Sequence, residues 1–336
     1  MSEPYTESIF MDSGAHSLYN IHVLKSHLPK NKRPSVAWGN GDFSFYDLKR
    51  GSDFRKYCDT YAEYIKRHSH VPGMLFANVD VISHPGRTYK VQRFFEEEHG
   101  VQPVPIIHCK AGMEWVDQYL EAGKYDLLGV GGLGQGIAKE TYIDWGGKFF
   151  NHICPESNDH LPVIKTHGFA MTSHTLMTKW PWWSVDSATW VKLSAYGWLY
   201  IPPWRDEEFK FDETPFNINF SWKSPQKKVA KKHYQSKSMP MDVRVSIDKW
   251  LEFLGMDIGS IELKEGEDPN GFDLVKDPEE ILAGRDHAET SLSGHYRMRS
   301  IANLKYLKML EASRPKWPWP LPEVERNPVE QGGFGL

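Results

Sequence analysis

The sequence predicts an α/β protein: a (β/α)8 TIM-type barrel, irregular or incompletely closed, with a C-terminal α-rich extension. Three observations lead there. Short apolar runs alternate with stretches of helical periodicity from residue 8 to about residue 205. Each run stops at a polar residue or a glycine, the position where barrel enzymes carry their chemistry. The first strand-to-helix turn lacks the glycine fingerprint of a dinucleotide-binding open sheet.

Ser8-Ile-Phe-Met-Asp-Ser-Gly14 is the first strand-like run, ending in Asp12 and a turn, and a polar loop follows. Residues 53–68 place Phe54, Tyr57, Tyr61, Tyr64 and Ile65 at helical spacing, with Ser52 or Asp53 as N-cap. Met74-Leu-Phe-Ala-Asn-Val-Asp80 is the next strand, followed by a helix over about 88–98 that stops at Gly100. Val104-Pro-Ile-Ile-His-Cys109 is the third strand, with a helix over 113–122. The fourth, from Tyr125, ends in glycines and precedes a helix over 138–153. Two central strands lead to His167-Gly168 and to Asp186, separated by a helix that Pro181 keeps short. Residues 198–202 are a seventh strand. The eighth has two candidates, 216–221 and 261–264. The predicted division is a catalytic barrel region, 1–205, and an extension with basic segments, 206–336, expected to complete the barrel and bind nucleic acid.

With 336 residues, 40% hydrophobic and 25% charged, the chain has an ordinary globular composition and can bury a large core. Aromatic residues make up 13%, with 13 Trp, which suits either a Trp-rich core or stacking on planar ligands. The net charge of −4 argues against uniform coating by nucleic acid but leaves local patches open. Residues 221–249 carry eight Lys/Arg against two acids, and 290–319 carry six against one. Lys227, Lys228, Lys231, Lys232, Arg297 and Arg299, interleaved with Trp222, Tyr234, Trp317 and Trp319, suit phosphate contacts and base stacking, or else a solvated face. The three cysteines are well separated and form no Cys-x-x-Cys pair. No apolar run approaches membrane-spanning length and no secretory signal is visible, so the expectation is an intracellular, cytoplasmic protein with reduced thiols and no membrane partner.

Read in order, the strand ends supply Asp12, Asp80, His108 or Cys109, Gly131-Gly132, His167-Gly168 and Asp186. A lone carboxylate closing a buried strand is badly placed for solvation, which singles out Asp186. The plainer reading makes each of the three aspartates a helix N-cap. Cys109 reads as a small buried side chain.

These pieces resemble the tRNA-guanine transglycosylase superfamily, especially its phage and bacterial members that place 7-deazaguanines in DNA. Phe10-Met-Asp-Ser-Gly-Ala-His16 resembles the family's Asp-Ser-Gly-Gly-Phe/Tyr-Gln motif, and Asn78-Val-Asp80 the strand carrying its base-reading aspartate. Gly131-Gly-Leu-Gly-Gln135 resembles the Gly-Gly-Leu-Ala-Val-Gly loop. His167-Gly-Phe169 stands where the family has Gly-Val-Gly, and Ser184-Val-Asp-Ser187 where it has Phe-Asp-Cys. The match runs over about 8–205. The family's Cys-x-Cys-x-x-Cys…His zinc site, its Pro-Thr-Arg after the nucleophile and its barrel-opening strand have no counterpart, which favours DNA over tRNA as substrate.

The resemblance implies base exchange. Asp186 would be the nucleophile that traps C1′ after an oxocarbenium-like transition state, and Asp12 the proton shuttle. Asp80 would read the N1–H and amino edge of the base, with backbone N–H groups of Gly131, Gly132 and Leu133 toward its carbonyl. His108, His167 and Gly168 would line the base pocket. Implied partners are DNA, with tRNA as alternative, and a 7-deazaguanine base; no metal and no cofactor are implied. Host cytoplasm is the expected location if the gene is a phage gene. Two rival readings remain: a metal-dependent TIM-barrel hydrolase using His16, His108, His167 and Asp186, and a catalytically inactive nucleic-acid-binding barrel.

Overall fold

The structure, a computed structural model, describes residues 9–33, 41–132, 138–171, 173–221, 232–259 and 291–326. It is a mixed α/β protein whose chain forms two compact units. One comprises Met1–Met171, Lys179–Asp186 and Trp317–Leu336, the other Thr172–Thr178 and Ser187–Lys316. The division after Asp186 falls earlier than the expected one near 205.

In the first unit, strands and helices alternate: β1 (Ile9–Met11), α1 (Ala15–His22), α2 (Asp53–His68), β2 (Met74–Phe76), α3 (Pro85–His99), β3 (Ile106–His108), α4 (Met113–Glu121), β4 (Leu127–Gly131), α5 (Lys139–Ile153), β5 (Lys165–Gly168) and β6 (Ser184–Val185). The boundaries follow local chemistry. The Ser52 hydroxyl accepts the Arg55 N–H at 3.2 Å to cap α2, and α3 ends where Gly100 turns left-handed. Phe54, Cys58, Ala62 and Ile65 of α2 form one stripe, buried with Val91, Phe94 and Phe95 of α3 and with Phe76, Val79 and Val81.

Strands β3, β4, β5 and β6 form one parallel sheet in that order, and β1 pairs in parallel with β2. A parallel bridge, Ala77 to Val104, connects the two: Val104 N–H donates to the Phe76 carbonyl at 2.7 Å and Asn78 N–H to the Val104 carbonyl at 3.0 Å. Six strands thus follow one another in chain order, without the reversal that defines a doubly wound sheet. The sheet is also curled. The Phe10 ring on β1 stacks on His167 of β5 with centroids 4.5 Å apart, and meets Phe169 edge-on at 5.1 Å. Four spacings of a flat sheet would separate those strands by about 19 Å.

The second unit holds most of α6 (His174–Lys179), then α7 (Thr189–Ala195), β7 (Trp198–Ile201), β8 (Trp204–Arg205), β9 (Glu208–Phe209), β10 (Phe216–Asn219), α8 (Met241–Leu254) and α9 (Tyr296–Ser313). Trp250, Tyr306, Phe211 and Phe220 anchor its core. Asn303, fully buried on α9, accepts from Tyr200 N–H at 2.9 Å and donates to the Trp198 carbonyl at 3.1 Å, fixing helix to strand. The expected seventh strand exists as β7, but it pairs antiparallel with β10, one of the two candidates for the eighth. The other candidate, 261–264, lies outside the described residues. Helices α1 and α8 were not expected. Among the described residues no helix is long and apolar enough to cross a membrane.

Candidate active site

The C-terminal ends of the first unit's parallel strands carry two histidine–carboxylate pairs. The first joins β2 to β3. Asp80 Oδ2 lies 2.6 Å from His108 Nε2, and both side chains are largely buried. The loop bearing Asp80 is clamped by Thr88 of α3: its hydroxyl accepts from Val81 N–H at 2.9 Å, and its carbonyl accepts from the Asn78 amide at 3.2 Å. Gly131 ends β4 opposite His108 in register, and a Cβ there would sit 3.4 Å from the imidazole. The Tyr46 hydroxyl is buried within the field of Asp80. Burial and then that carboxylate push its ionisation well above the ordinary tyrosine range.

The second pair joins β5 to β6. His167 Nδ1 lies 2.8 Å from the Ser184 hydroxyl, and Nε2 lies 3.8 Å from Asp186 Oδ1. Ser184 opens β6 and Asp186 follows directly after that strand, and both face the His167 ring. Burial holds the imidazole below its ordinary pKa, and the Asp186 carboxylate partly opposes this. Asp186 itself departs from expectation. Its side chain is 58% exposed, so a buried, poorly solvated carboxylate is not what marks it. It is instead held by backbone: Asp186 N–H donates to the Gly168 carbonyl at 3.1 Å, and Oδ1 accepts from Ala170 N–H at 2.7 Å. A Cβ on buried Gly168 would lie 3.1 Å from Met171 and 3.2 Å from Val185.

Asp12 follows β1 and is exposed, with Oδ1 accepting from Gly14 N–H at 3.1 Å. Each of the three aspartates therefore has one oxygen held by a described donor, while its other oxygen takes no hydrogen bond from a described residue. The N-cap reading fails for all three. The N-cap of α1 is Gly14, not Asp12, and no side chain caps that helix. The N-cap of α3 is His84, not Asp80; that of α7 is Ala188, not Asp186. In Asp12 the local turn survives as a bond to Gly14.

The turns after five strands pass through left-handed backbone: Gly14 after β1, Ser83 after β2, Lys110 after β3, Gly132 after β4 and Ala170 after β5. Gly132, at φ 111°, has a conformation that side chains avoid. Ser83, Lys110 and Ala170 adopt φ of 68°, 74° and 54°, a strain that clusters at working sites.

Leu133, Lys227, Lys228 and Lys231 lie outside the described residues. Lys232 and Arg297 are exposed in the second unit. Arg299 is removed from the nucleic-acid set. It is 4% exposed, and its guanidinium donates to the carbonyls of Ser194 at 2.7 Å and Leu292 at 2.6 Å. Cys109 is buried, which raises its thiol to about 11. Among the described residues no group of three or more His, Cys, Asp or Glu side chains is placed to hold a metal ion.

Sequence reasoning did not single out Ser184 or Ala170 as partners, nor Phe10 as a ring stacked on His167. The two-residue spacing of Ser184 and Asp186 was the available signal for the first; the backbone donor Ala170 left none. No protein-family model, no curated protein and no solved structure matches the chain.

Proposed function

We propose that the first unit belongs to a (β/α)-barrel enzyme, irregular in its closing strands, that exchanges guanine in DNA for a 7-deazaguanine through a covalent aspartyl intermediate. The observation that carries this reading is the state of the three carboxylates: each is oriented through one oxygen and open at the other. Such a carboxylate is positioned for work on a ligand rather than consumed by the fold.

Asp186 is the nucleophile in this reading. The Ala170 N–H orients Oδ1, and Oδ2 attacks C1′ on the face opposite the leaving base, forming a glycosyl ester as guanine departs. Exposure at a strand end suits a group that must meet a sugar carried by a polymer. A base within a duplex is first turned out of the stack, at a cost of a few kcal/mol. Asp80, fixed by His108, offers its free oxygen to the N1–H and amino group that guanine and 7-deazaguanines present and adenine does not. Asp12 moves the proton between outgoing and incoming base. His167 positions Asp186, backed by Ser184. The test is incubation with guanine-labelled DNA, with labelled tRNA in parallel, and candidate 7-deazaguanines. Base-dependent release from DNA supports the reading, release from tRNA alone moves the substrate, and no release from either overturns it.

A further inference from the structure

A second feature lies just beyond Asp80 along the chain. The loop and first turn of α3, together with α4, enclose a groove of about 530 Å3. Tyr89, Trp115 and Gly86 line it together with His84 and Gln118, and Arg87 and Lys90 are its cations. The two rings have centroids 6.1 Å apart and planes inclined at 52°. A Cβ at Gly86 would lie 3.0 Å from Trp115 Cη2, so the missing side chain is what lets the indole lie over the backbone.

The charge of this groove is one-sided. Among the described residues no carboxylate lines it, and the first turn of α3 carries no acidic side chain, which leaves the positive end of the helix dipole unopposed. Arg87 and Lys90 are exposed and make no ion pair with a described carboxylate. Arg87 uses Nη1 on the Phe43 carbonyl at 2.8 Å, which fixes the guanidinium while leaving further N–H groups. Planar rings beside paired cations match a ligand that offers one planar face for each negative charge. A nucleotide unit does so; an acidic peptide supplies charge without the plane.

We propose that this groove holds a nucleotide of a single-stranded segment flanking the reactive base, its base against Tyr89 and Trp115 and its phosphates at Arg87 and Lys90. The inference deepens the base-exchange reading by naming its strand-binding surface, and its choice of polymer rests on that reading. The groove follows the base-reading loop directly, since Ser83 and His84 alone separate Ile82 from Pro85 and Asp80 lies two residues before Ile82.

The test uses the full chain and short fluorescent single strands of DNA and of RNA with the same sequence. Arg87→Gln combined with Lys90→Gln, at unchanged melting temperature, should lower the log–log salt slope of binding by about 1.4, since each phosphate contributes about 0.7 on single strands. Tyr89→Leu should weaken binding of an intact strand roughly five-fold or more and leave an abasic strand unaffected. In the unaltered protein, a strand carrying 5-iodouracil should crosslink to Tyr89 or Trp115. An unchanged slope, crosslinks confined to other residues, or competition by polyglutamate as strong as by oligonucleotide overturns the proposal. Loss of slope without any base exchange keeps the groove and removes the exchange reading; exchange with an unchanged slope does the reverse. Equal effects on DNA and RNA assign the groove to the shared phosphate-and-base chemistry.

Discussion

The two histidine–carboxylate pairs of the first unit are alike in composition and differ in how they are held. In the Asp80–His108 pair both partners are buried and 2.6 Å apart, with side-chain exposures of 14% and 4%. In the Asp186–His167 pair the imidazole is equally buried, but the carboxylate is 58% exposed and 3.8 Å away. A buried carboxylate needs its partner, because desolvation penalises a charge left alone. An exposed one is solvated and needs only orientation, which the Ala170 N–H supplies. The contrast suits a fixed base reader and an accessible nucleophile.

The sharpest way to break the contrast is Asp186→Asn. Asparagine keeps an oxygen for Ala170, so stability should change by less than about 0.5 kcal/mol, the usual range for surface sites. Turnover should fall by about 10⁴-fold or more, as when a covalent nucleophile is removed. Urea unfolding alongside label release measures both. A large stability loss would make Asp186 a structural residue.

Asp80→Ala should behave differently. It strands buried donors, so binding of free 7-deazaguanine should weaken by about 2–4 kcal/mol and folding stability should fall by about 1–3 kcal/mol. Asp80→Asn should be nearly as damaging to the base, since it can turn a donor toward donors. Calorimetric titration decides this, and near-normal affinity in Asp80→Asn removes Asp80 from the site.

The same contrast between held and free groups recurs in the second unit. Arg299→Gln should cost about 1.5–3 kcal/mol, the usual range for hydrogen bonds to a charged group. Arg297→Gln, on the exposed face, should cost less than about 0.5 kcal/mol. Equal costs in chemical denaturation would contradict the burial described here.

The smallest effect concerns pH. Burial lowers the folded-state pKa of His167 below its ordinary 6.5, so the unfolded chain binds the proton more readily. Stability is then fully present above about 6.5 and declines as the pH falls from there toward the folded-state pKa. His84 and His174 shift in the same direction, so the comparison of wild type with His167→Gln isolates one share of the slope. The variant should show a shallower loss on acidification; an identical slope would place the His167 effect elsewhere.

Much of the first unit was legible in sequence. The spacing of Phe54, Tyr57, Tyr61, Tyr64 and Ile65 located α2, although Cys58 and Ala62 rather than the three half-buried tyrosines complete its buried stripe, and Gly100 stops α3 where a left-handed residue is required. Helix α8 carries the same kind of signal in Val243, Ile247, Trp250 and Leu251, but the surrounding lysines drew the reading toward a basic surface. The direction of β7 was not legible, because strand pairing depends on partners distant in the chain and an apolar run carries no direction. Nor was the solvation of Asp186. Its position at a strand end was clear, but exposure is set by what packs around that end. Arg299 illustrates the converse: a charge reads as surface until nearby carbonyls, supplied here by Ser194 and Leu292, satisfy it inside the fold.

The central claim is that Asp186 attacks the sugar, and trapping tests it most directly. The protein is mixed with DNA containing the reactive guanine, quenched in acid during turnover, digested, and analysed by peptide mass. The account predicts a nucleoside-linked ester on the peptide containing Asp186, absent in Asp186→Asn. An adduct on Asp12 or Asp80, or full exchange activity in Asp186→Asn, would contradict it.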